Sequence, residues 1–348
     1  MSLPTASPAL PRGFTLIELL VVVAVLSAAS LLAFGVFSED RTQIRYDDTR
    51  QRLQILRRAI LGQNGPAAAG EASAGFVADN GALPTDLVTL LQPGSLSARA
   101  VRSPIFDPKP DDSTCANDGS ADDIALTDPA AQLVKGHGGD YLGGLAVNGR
   151  FRDGWGNVAT TDDAGNFGWS TVFDGTAKTL AIASLGLDNA SGPAGSTDFA
   201  ADVGLTVAAN DWLLPISGWT VTVRNTRGTD IPANKLSLSL LVFLNNAGGG
   251  QWLRYATVSL PCLGSGSGCA TDAAVAFTDG CKPGENVGNK GRIPQGRHLL
   301  VLTDNGADGL PWTTDDKVSG TALLPAVVST QVDAVAGRNL PALALDIR

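Results

Sequence analysis

The chain contains only two histidines and one methionine among 348 residues, and aromatic residues make up 6% of it. Basic residues are also in the minority, since 25 lysines and arginines stand against 34 aspartates and glutamates, for a formal charge of −9. Nucleic-acid binding depends on basic patches that contact phosphates. The sequence therefore predicts a protein with no nucleic-acid partner.

Recognisable catalytic motifs are scarce as well. The sequence has no Gly-x-Ser-x-Gly segment of the nucleophile-elbow type. It also has no Cys-x-x-Cys pair or histidine beside a cysteine that would support a zinc site. His298 falls at the start of a predicted strand, where a structural role is favoured over that of a base. We therefore expect no enzymatic activity.

Residues 12–37 carry the most informative pattern in the chain. A short leader ends at Gly13, and an apolar run follows from residue 14 to residue 37 with one charge, Glu18, inside it. About 20 apolar residues are enough to span a bilayer, and the run exceeds the apolar core of about 7–15 residues in a secretory signal peptide. A lone carboxylate inside such a segment is costly and indicates a function.

The Arg-Gly-Phe-Thr junction followed by Glu18 resembles the class III signal of type IV pilins and type II secretion pseudopilins. The resemblance implies cleavage between Gly13 and Phe14 by a prepilin peptidase, and N-methylation of Phe14. It also implies that Glu18 pairs with the methylated amine of Phe14 in a neighbouring filament subunit. The alternatives are a plain membrane anchor and a Glu18 side chain that reaches the membrane surface.

The signal and the distribution of apolar residues after it divide the chain into four segments. They are a leader peptide (1–13), an N-terminal membrane and assembly helix (14–62), a pseudopilin-like globular head (63–210) and a C-terminal β-rich domain (211–348). The helix is apolar and membrane-spanning in its first half and amphipathic in its second half. Within the head, residues 93–140 are rich in Asp, Pro and Gly and look like an insertion.

The C-terminal domain contains six candidate strands, each alternating or β-branched and bounded by Gly, Pro or Asn. Short strands at this spacing favour a sandwich. The expected fold is therefore α+β: the long helix packs on a pilin-type antiparallel sheet head, and an antiparallel β-sandwich-like domain follows. The candidate strands are residues 218–225, 235–245, 252–260, 273–279, 297–304 and 342–347.

The head carries a second resemblance, to the globular part of the major pseudopilin of type II secretion. That family has an Asp-Pro-Trp-Gly turn and a later serine- and aspartate-containing loop that binds calcium. Here the turn is residues 153–157, with Gly154 where the family has proline. The resemblance implies a calcium site in the later loop, with a solvated acidic loop as the alternative. The implied ligands are Ser184, Leu185, Asp188, Ser196, Asp198 and Asp202.

Two further acidic segments have a similar composition. Calcium takes six to eight oxygen ligands from carboxylates and carbonyls, and residues 303–316 could provide several of them. This segment lacks the spacing of an EF-hand, so a solvated hairpin turn is the alternative there. Residues 111–123 are the other segment. The candidate ligands in the second loop are Asp304, Asp308, Asp315 and Asp316.

Four cysteines complete the candidate features. The class III signal would place the head in the periplasm, where disulfides form and persist. We expect Cys262 and Cys269 to pair and to close a loop of glycine and serine. Cys115 and Cys281 would then be either paired with each other or free.

The sequence thus predicts a structural subunit of a periplasmic pseudopilus or type IV pilus-like filament, of the type II secretion kind. It would be a single-pass inner-membrane protein with its head in the periplasm before it enters the filament. Expected partners are the prepilin peptidase, an inner-membrane assembly platform, the membrane, and further pilin-like subunits, including copies of itself. The alternative is a minor type IV pilin with an adhesive or glycan-binding tip in residues 211–348.

Overall fold

The computed structural model describes residues 15–62, 75–110, 115–158, 161–192, 199, 201–246, 248–278 and 291–348. The fold is α+β, with a few helices, many antiparallel strands and a sheet-rich C-terminal region. The helices are α1 (Leu16–Leu61), α2 (Phe76–Asn80) and α3 (Asp163–Asn166), with 3-10 turns at Val88–Leu90 and Ala209–Asp211.

Sixteen strands belong to the described part of the chain. The strands before residue 208 are β1 (Ala100–Arg102), β2 (Ile105–Phe106), β3 (Ile124–Ala125), β4 (Leu133–Lys135), β5 (Ser170–Asp174), β6 (Thr179–Ala183) and β7 (Gly204–Val207). The later strands are β8 (Leu213–Pro215), β9 (Thr220–Asn225), β10 (Leu236–Asn246), β11 (Gly249–Ser259), β12 (Asp272–Ala276), β13 (Arg292–Pro294), β14 (Gly296–Asp304), β15 (Ser329–Ala334) and β16 (Leu343–Ile347).

The predicted N-terminal helix is present, and its two halves have different surroundings. Thr15 caps its start, and the chain leaves the helix at Gly62, where φ is 80°. In the second half, buried apolar residues recur every three or four positions, at Leu53, Leu56 and Ile60, as an amphipathic helix requires. No helix in the described part of the chain combines the length and the hydropathy of a membrane span.

The buried stripe of α1 packs on a three-stranded sheet in the order β5-β6-β7. Both strand pairs are antiparallel, and the alternate residues Leu180 and Ile182 of β6 face the helix side of the core. Trp169 is buried in the same cluster. Its indole Nε1 donates to the carbonyl of Phe151 at 2.7 Å, so the indole nitrogen is not left without a hydrogen-bond partner in the core.

Two sheets of the C-terminal region enclose a common core. One has the order β11-β10-β14-β15 and the other β12-β9-β16, and inward residues of both belong to one apolar cluster. The expectation of a purely antiparallel domain is wrong for β16, which pairs with β9 in parallel. The reason is that the chain crosses from β15 to the opposite sheet, where β9 already runs in the same direction as β16.

A third core joins the two sides of the predicted boundary at residue 210. Phe106, Leu126 and Leu133, from the segment interpreted as an insertion, are buried against Phe243 and Leu299 of the four-stranded sheet. Strands β10 and β14 therefore have apolar residues on both faces. The four-stranded sheet is covered on its second face by residues from the first half of the chain.

The turn at residues 153–157 lies directly against α1. The amide of Gly154 donates to Oγ1 of Thr49 at 3.0 Å. A Cβ atom on Gly154 would lie 2.3 Å from the carbonyl oxygen of Arg45. The close approach explains why glycine stands at this position of the turn, because any side chain would push the turn away from the helix.

We expect the substitution Gly154→Ala to destabilise the head by about 1–3 kcal/mol, the usual cost of overpacking. Gly175→Ala is the matched control, because a Cβ atom there would meet only the ring of Phe173, at 3.5 Å. Thermal unfolding of the two variants checks the prediction. Equal melting temperatures for both would show that the turn does not depend on this contact.

Candidate functional site

Glu18 closes a capping box at the start of α1. The amide of Glu18 donates to Oγ1 of Thr15 at 3.3 Å, and Oε2 of Glu18 accepts from the Thr15 amide at 3.1 Å and from its hydroxyl at 3.2 Å. A capping box satisfies amide groups that otherwise have no partner at a helix start. The predicted assembly carboxylate is thus held at the first turn of the helix. Gly13 and Phe14 lie outside the described residues.

The first turns of α1 expose apolar side chains in every direction. A monomeric soluble protein seldom exposes a contiguous apolar surface of this kind, which marks a protein or membrane contact. Glu18 is the acidic residue of the first turn. The exposed side chains are Leu16, Ile17, Leu19, Leu20, Val21, Val22, Val23, Val25 and Leu26.

The first predicted calcium loop begins at a buried hydrogen-bond network. Ser184 is fully buried, and its hydroxyl donates to Oδ2 of Asp153 at 2.5 Å. Asn157 donates to the same carboxylate oxygen at 2.7 Å and to the carbonyl of Gly186 at 2.9 Å. The Ser184 hydroxyl therefore ties the loop to the turn at residues 153–157, a role that sequence reasoning missed.

The other predicted ligands of this loop are only partly described. Asp188 is exposed and accepts from the amide of Ala190, and Asp202 accepts from the amide of Gly192 at 2.7 Å. Leu185 is buried. Ser196 and Asp198 lie outside the described residues. A calcium site built from this loop stays a prediction.

In the second predicted loop, each carboxylate accepts a hydrogen bond from within the loop. Asp304 accepts from Gly306, Asp308 from Leu310, and Asp315 from Ala307 and Thr313. The bonds of Asp304 and Asp308 span two residues and are typical of turns, whereas the bond from Ala307 to Asp315 spans eight residues and closes the loop. Among the described residues, these carboxylates do not converge as a group of three metal ligands.

Asp316 forms a fully buried ion pair with Arg254. Oδ2 of Asp316 accepts from the guanidinium at 2.8 Å, and both side chains are 0% exposed. The guanidinium lies 4.6 Å from the ring centre of Phe106 and 4.5 Å from that of Trp312. Burial raises the pKa of Asp316, and the positive charge of Arg254 opposes this. The carboxylate of Asp316 therefore pairs with Arg254 in the interior of the protein.

The structure brings together a different acidic group, Asp107, Asp118 and Asp123. One ligand oxygen from each lies within 4.8 Å of the others. Asp107 is 1% exposed, and burial, followed by the charges of Asp123 and Asp118, raises its pKa to about 6. Oδ1 of Asp123 is buried without a hydrogen-bond partner. These oxygens are of the kind that calcium prefers.

Two of these three residues lie in the acidic segment 111–123, but Asp107 escaped the sequence analysis. It follows β2 directly, and its carboxylate accepts from the amides of Lys109 and Asp118. The only signal was its position at the end of a short apolar strand. No composition-based search would have separated it from the other aspartates.

The disulfide between Cys262 and Cys269 is present. It closes a glycine-rich loop around Asp230, whose Oδ1 accepts from the amides of Ser265 and Gly266. Cys115 is also disulfide-bonded. Cys281 lies outside the described residues.

Both histidines have structural surroundings. His298 is fully buried, its Nε2 contacts the carbonyl of Pro294 at 2.7 Å, and burial lowers its pKa to about 3. His137 contacts the carbonyl of Thr89 and packs edge-on against Phe76 and Tyr141. A catalytic histidine needs access to substrate, and His298 lacks it.

Comparison with known proteins identifies one segment. Residues 11–34 match the family model described as the prokaryotic N-terminal methylation motif. This match confirms the class III signal and supports a type IV pilin-like protein. No curated protein and no solved structure matches the chain.

We expect Asp316→Ala to lower the free energy of unfolding by about 3 kcal/mol or more, because the variant leaves the charge of Arg254 buried without its partner. Asp333→Ala removes the partly exposed partner of Arg297 and should cost about 1 kcal/mol or less. Chemical denaturation of both variants measures the difference. Similar losses in the two would mean that the buried charge is compensated in another way.

Calcium binding stays a prediction, and two matched variants test where it occurs. If calcium binds Asp107, Asp118 and Asp123, chelation should lower the melting temperature of the chain, and Asp107→Asn should abolish this effect while Asp188→Asn retains it. The effect should be larger at about pH 7 than at about pH 5, because calcium needs carboxylates that have lost their protons.

The pH dependence of stability follows from the direction in which the pKa of Asp107 is shifted. Its pKa of about 6 in the folded protein lies above the ordinary value of 3.8, so without metal its charge destabilises the fold above about pH 6 and this penalty disappears as the pH falls. A melting curve unchanged by chelation at both pH values would exclude a stabilising calcium ion.

Proposed function

We propose that this chain is a structural subunit of a periplasmic pseudopilus or type IV pilus-like filament, of the type II secretion kind. The observation that carries the proposal is the methylation motif at residues 11–34, which includes the exposed apolar side chains of residues 16–26 and the capping Glu18. A structural role, rather than an enzymatic one, is part of the proposal.

The exposed apolar side chains of residues 16–26 in α1 support this proposal on energetic grounds. Nine large apolar side chains between residues 16 and 26 are more than 45% exposed. Burial of apolar surface contributes about 25 cal/mol per Å² removed from water, so these side chains are more stable in lipid or among other helices than in water. Before assembly the helix would anchor the chain in the inner membrane with its head in the periplasm, and afterwards it would line the filament axis.

The position of Glu18 suits it to set the register of a new subunit. Only Oε2 of Glu18 contacts Thr15, which leaves Oε1 for another donor. In a filament of packed apolar helices a charge needs a partner. The methylated amine of Phe14 in a neighbouring subunit would supply it, and Thr15 would hold the carboxylate in place.

Processing follows from the same motif. A prepilin peptidase would cut between Gly13 and Phe14 and methylate the new amine. An inner-membrane assembly platform would then move the subunit from the membrane into the filament, together with copies of itself or related pilin-like chains. The C-terminal sandwich would be displayed on the outside.

A minor type IV pilin with an adhesive or glycan-binding tip is the second candidate. The observation that favours it is the large C-terminal sandwich, which an ordinary filament subunit does not need for helix packing. Neighbouring genes separate the candidates, as does a glycan-binding screen with the full chain. Binding of a glycan would favour the tip subunit.

We expect Glu18→Ala to abolish incorporation into filaments while membrane insertion remains intact, because the variant loses the charge that sets the register but keeps the apolar surface. Asp47→Ala is the matched control, since Asp47 is also an exposed carboxylate of α1. Filament yield and membrane fractionation are the two measurements. Normal filament assembly by Glu18→Ala would remove this role of the residue.

A further inference from the structure

An open cleft of about 500 Å³ lies at one end of the C-terminal sandwich. It lies between residues 213–220, Arg292 and residues 337–342, and we call it the arginine cleft. Its volume is within the range of about 300–1,000 Å³ that is common for binding sites. Leu213, Leu340 and Trp219 give it an apolar part.

The charge of the arginine cleft is opposite to that of the chain as a whole. Arg292 and Arg338 line it, and none of its lining residues is acidic, although the chain carries a formal charge of −9. Neither arginine has an ion-pair partner in the part of the chain that the structure describes. A second cleft, of about 430 Å³, is lined by both Asp346 and Arg348 and lacks this bias.

A complementary surface lies in residues 305–311, which we call the tip loop. Asp308 is exposed there. Leu310, two residues later, is 60% exposed, so the loop presents a carboxylate and a large apolar side chain together. Lys235 donates to the carbonyls of Gly306 and Ala307, at 3.0 Å each. The loop is therefore ordered before any contact forms, which lowers the entropic cost of binding.

The tip loop and the arginine cleft lie at opposite ends of the sandwich. Strand β13, which contains Arg292, precedes β14 directly, and the tip loop follows the end of β14 at Asp304. Strand β14 has nine residues, so at about 3.3 Å per residue it separates the two surfaces by about 30 Å. A single copy cannot bring them together, but two copies in line can.

We propose that the tip loop of one copy of this chain docks in the arginine cleft of the next copy. Leu310 would enter the apolar part of the cleft, and the charge of Asp308 would face Arg338 and Arg292. Such a contact joins two different surfaces, so it repeats from copy to copy, and it builds an open filament where the rotation between copies does not close into a ring. The proposal rests on the proposed filament function and adds the contact between successive heads.

Disulfide cross-linking of the full chain in assembled filaments tests the contact. The variant Leu310→Cys/Asn339→Cys should give a ladder of dimers, trimers and higher multimers under oxidising conditions. No described cysteine is free to interfere. Val172→Cys/Asn339→Cys is the matched control, because Val172 is 63% exposed on β5, away from the tip loop, and it should give no ladder.

Charge reversal in the Leu310→Cys/Asn339→Cys variant provides a second test of the contact. Arg338→Asp should reduce the ladder, and the added substitution Asp308→Arg should restore it. Filaments without the Leu310–Asn339 ladder, or an equal ladder in the Val172 control, would overturn the contact and leave the filament function standing. Normal assembly of Glu18→Ala would instead overturn the proposed Glu18-dependent assembly, whatever the cross-links show.

Discussion

The packing of the second half of α1 on the head is the constraint on which the rest of the structure depends. Leu53, Leu56 and Ile60 are buried in the core of the head. The hydroxyl of Thr49 accepts a hydrogen bond from the amide of Gly154, in the turn at residues 153–157. The same helix therefore has its second half packed in the head and the apolar side chains of residues 16–26 exposed. Because that apolar surface is costly in water, contact with lipid or with other helices would stabilise it, and the same surface would serve both the anchored and the assembled state that we propose.

The buried charge of Arg254 connects parts of the chain that are distant in sequence. Its guanidinium donates to Asp316 and to the carbonyl of Pro108, and it lies between the rings of Phe106 and Trp312. A buried charge is tolerated only when it is paired and hydrogen-bonded. The segment after β2 and the loop after β14 are both held against β11 by this one side chain, which also orders the base of the tip loop.

Local pattern predicts much of the secondary structure, and side-chain partners account for most of what it misses. The alternation of apolar residues located β9, β10 and β14 within a residue or two, whereas β15 was missed because Ser329, Thr330 and Gln331 give a polar edge strand no such pattern. Ser184 and Asp316 carry oxygens of the kind that bind metals, yet both side chains bind distant residues instead. Ser184 donates to Asp153, 31 residues away, and Asp316 accepts from Arg254, 62 residues away. A sequence motif cannot reveal which distant side chain forms a hydrogen bond with a given oxygen atom.

The overall acidity of the chain bears on how its copies could associate. Copies with a formal charge of −9 repel one another, so a contact between heads is favoured where one surface has the opposite sign. The arginine cleft supplies such a surface, at the end of the sandwich far from the tip loop. Charge complementarity governs orientation and specificity more than affinity. Helix packing would then provide most of the free energy of assembly, while the heads would determine which end of one copy meets the next.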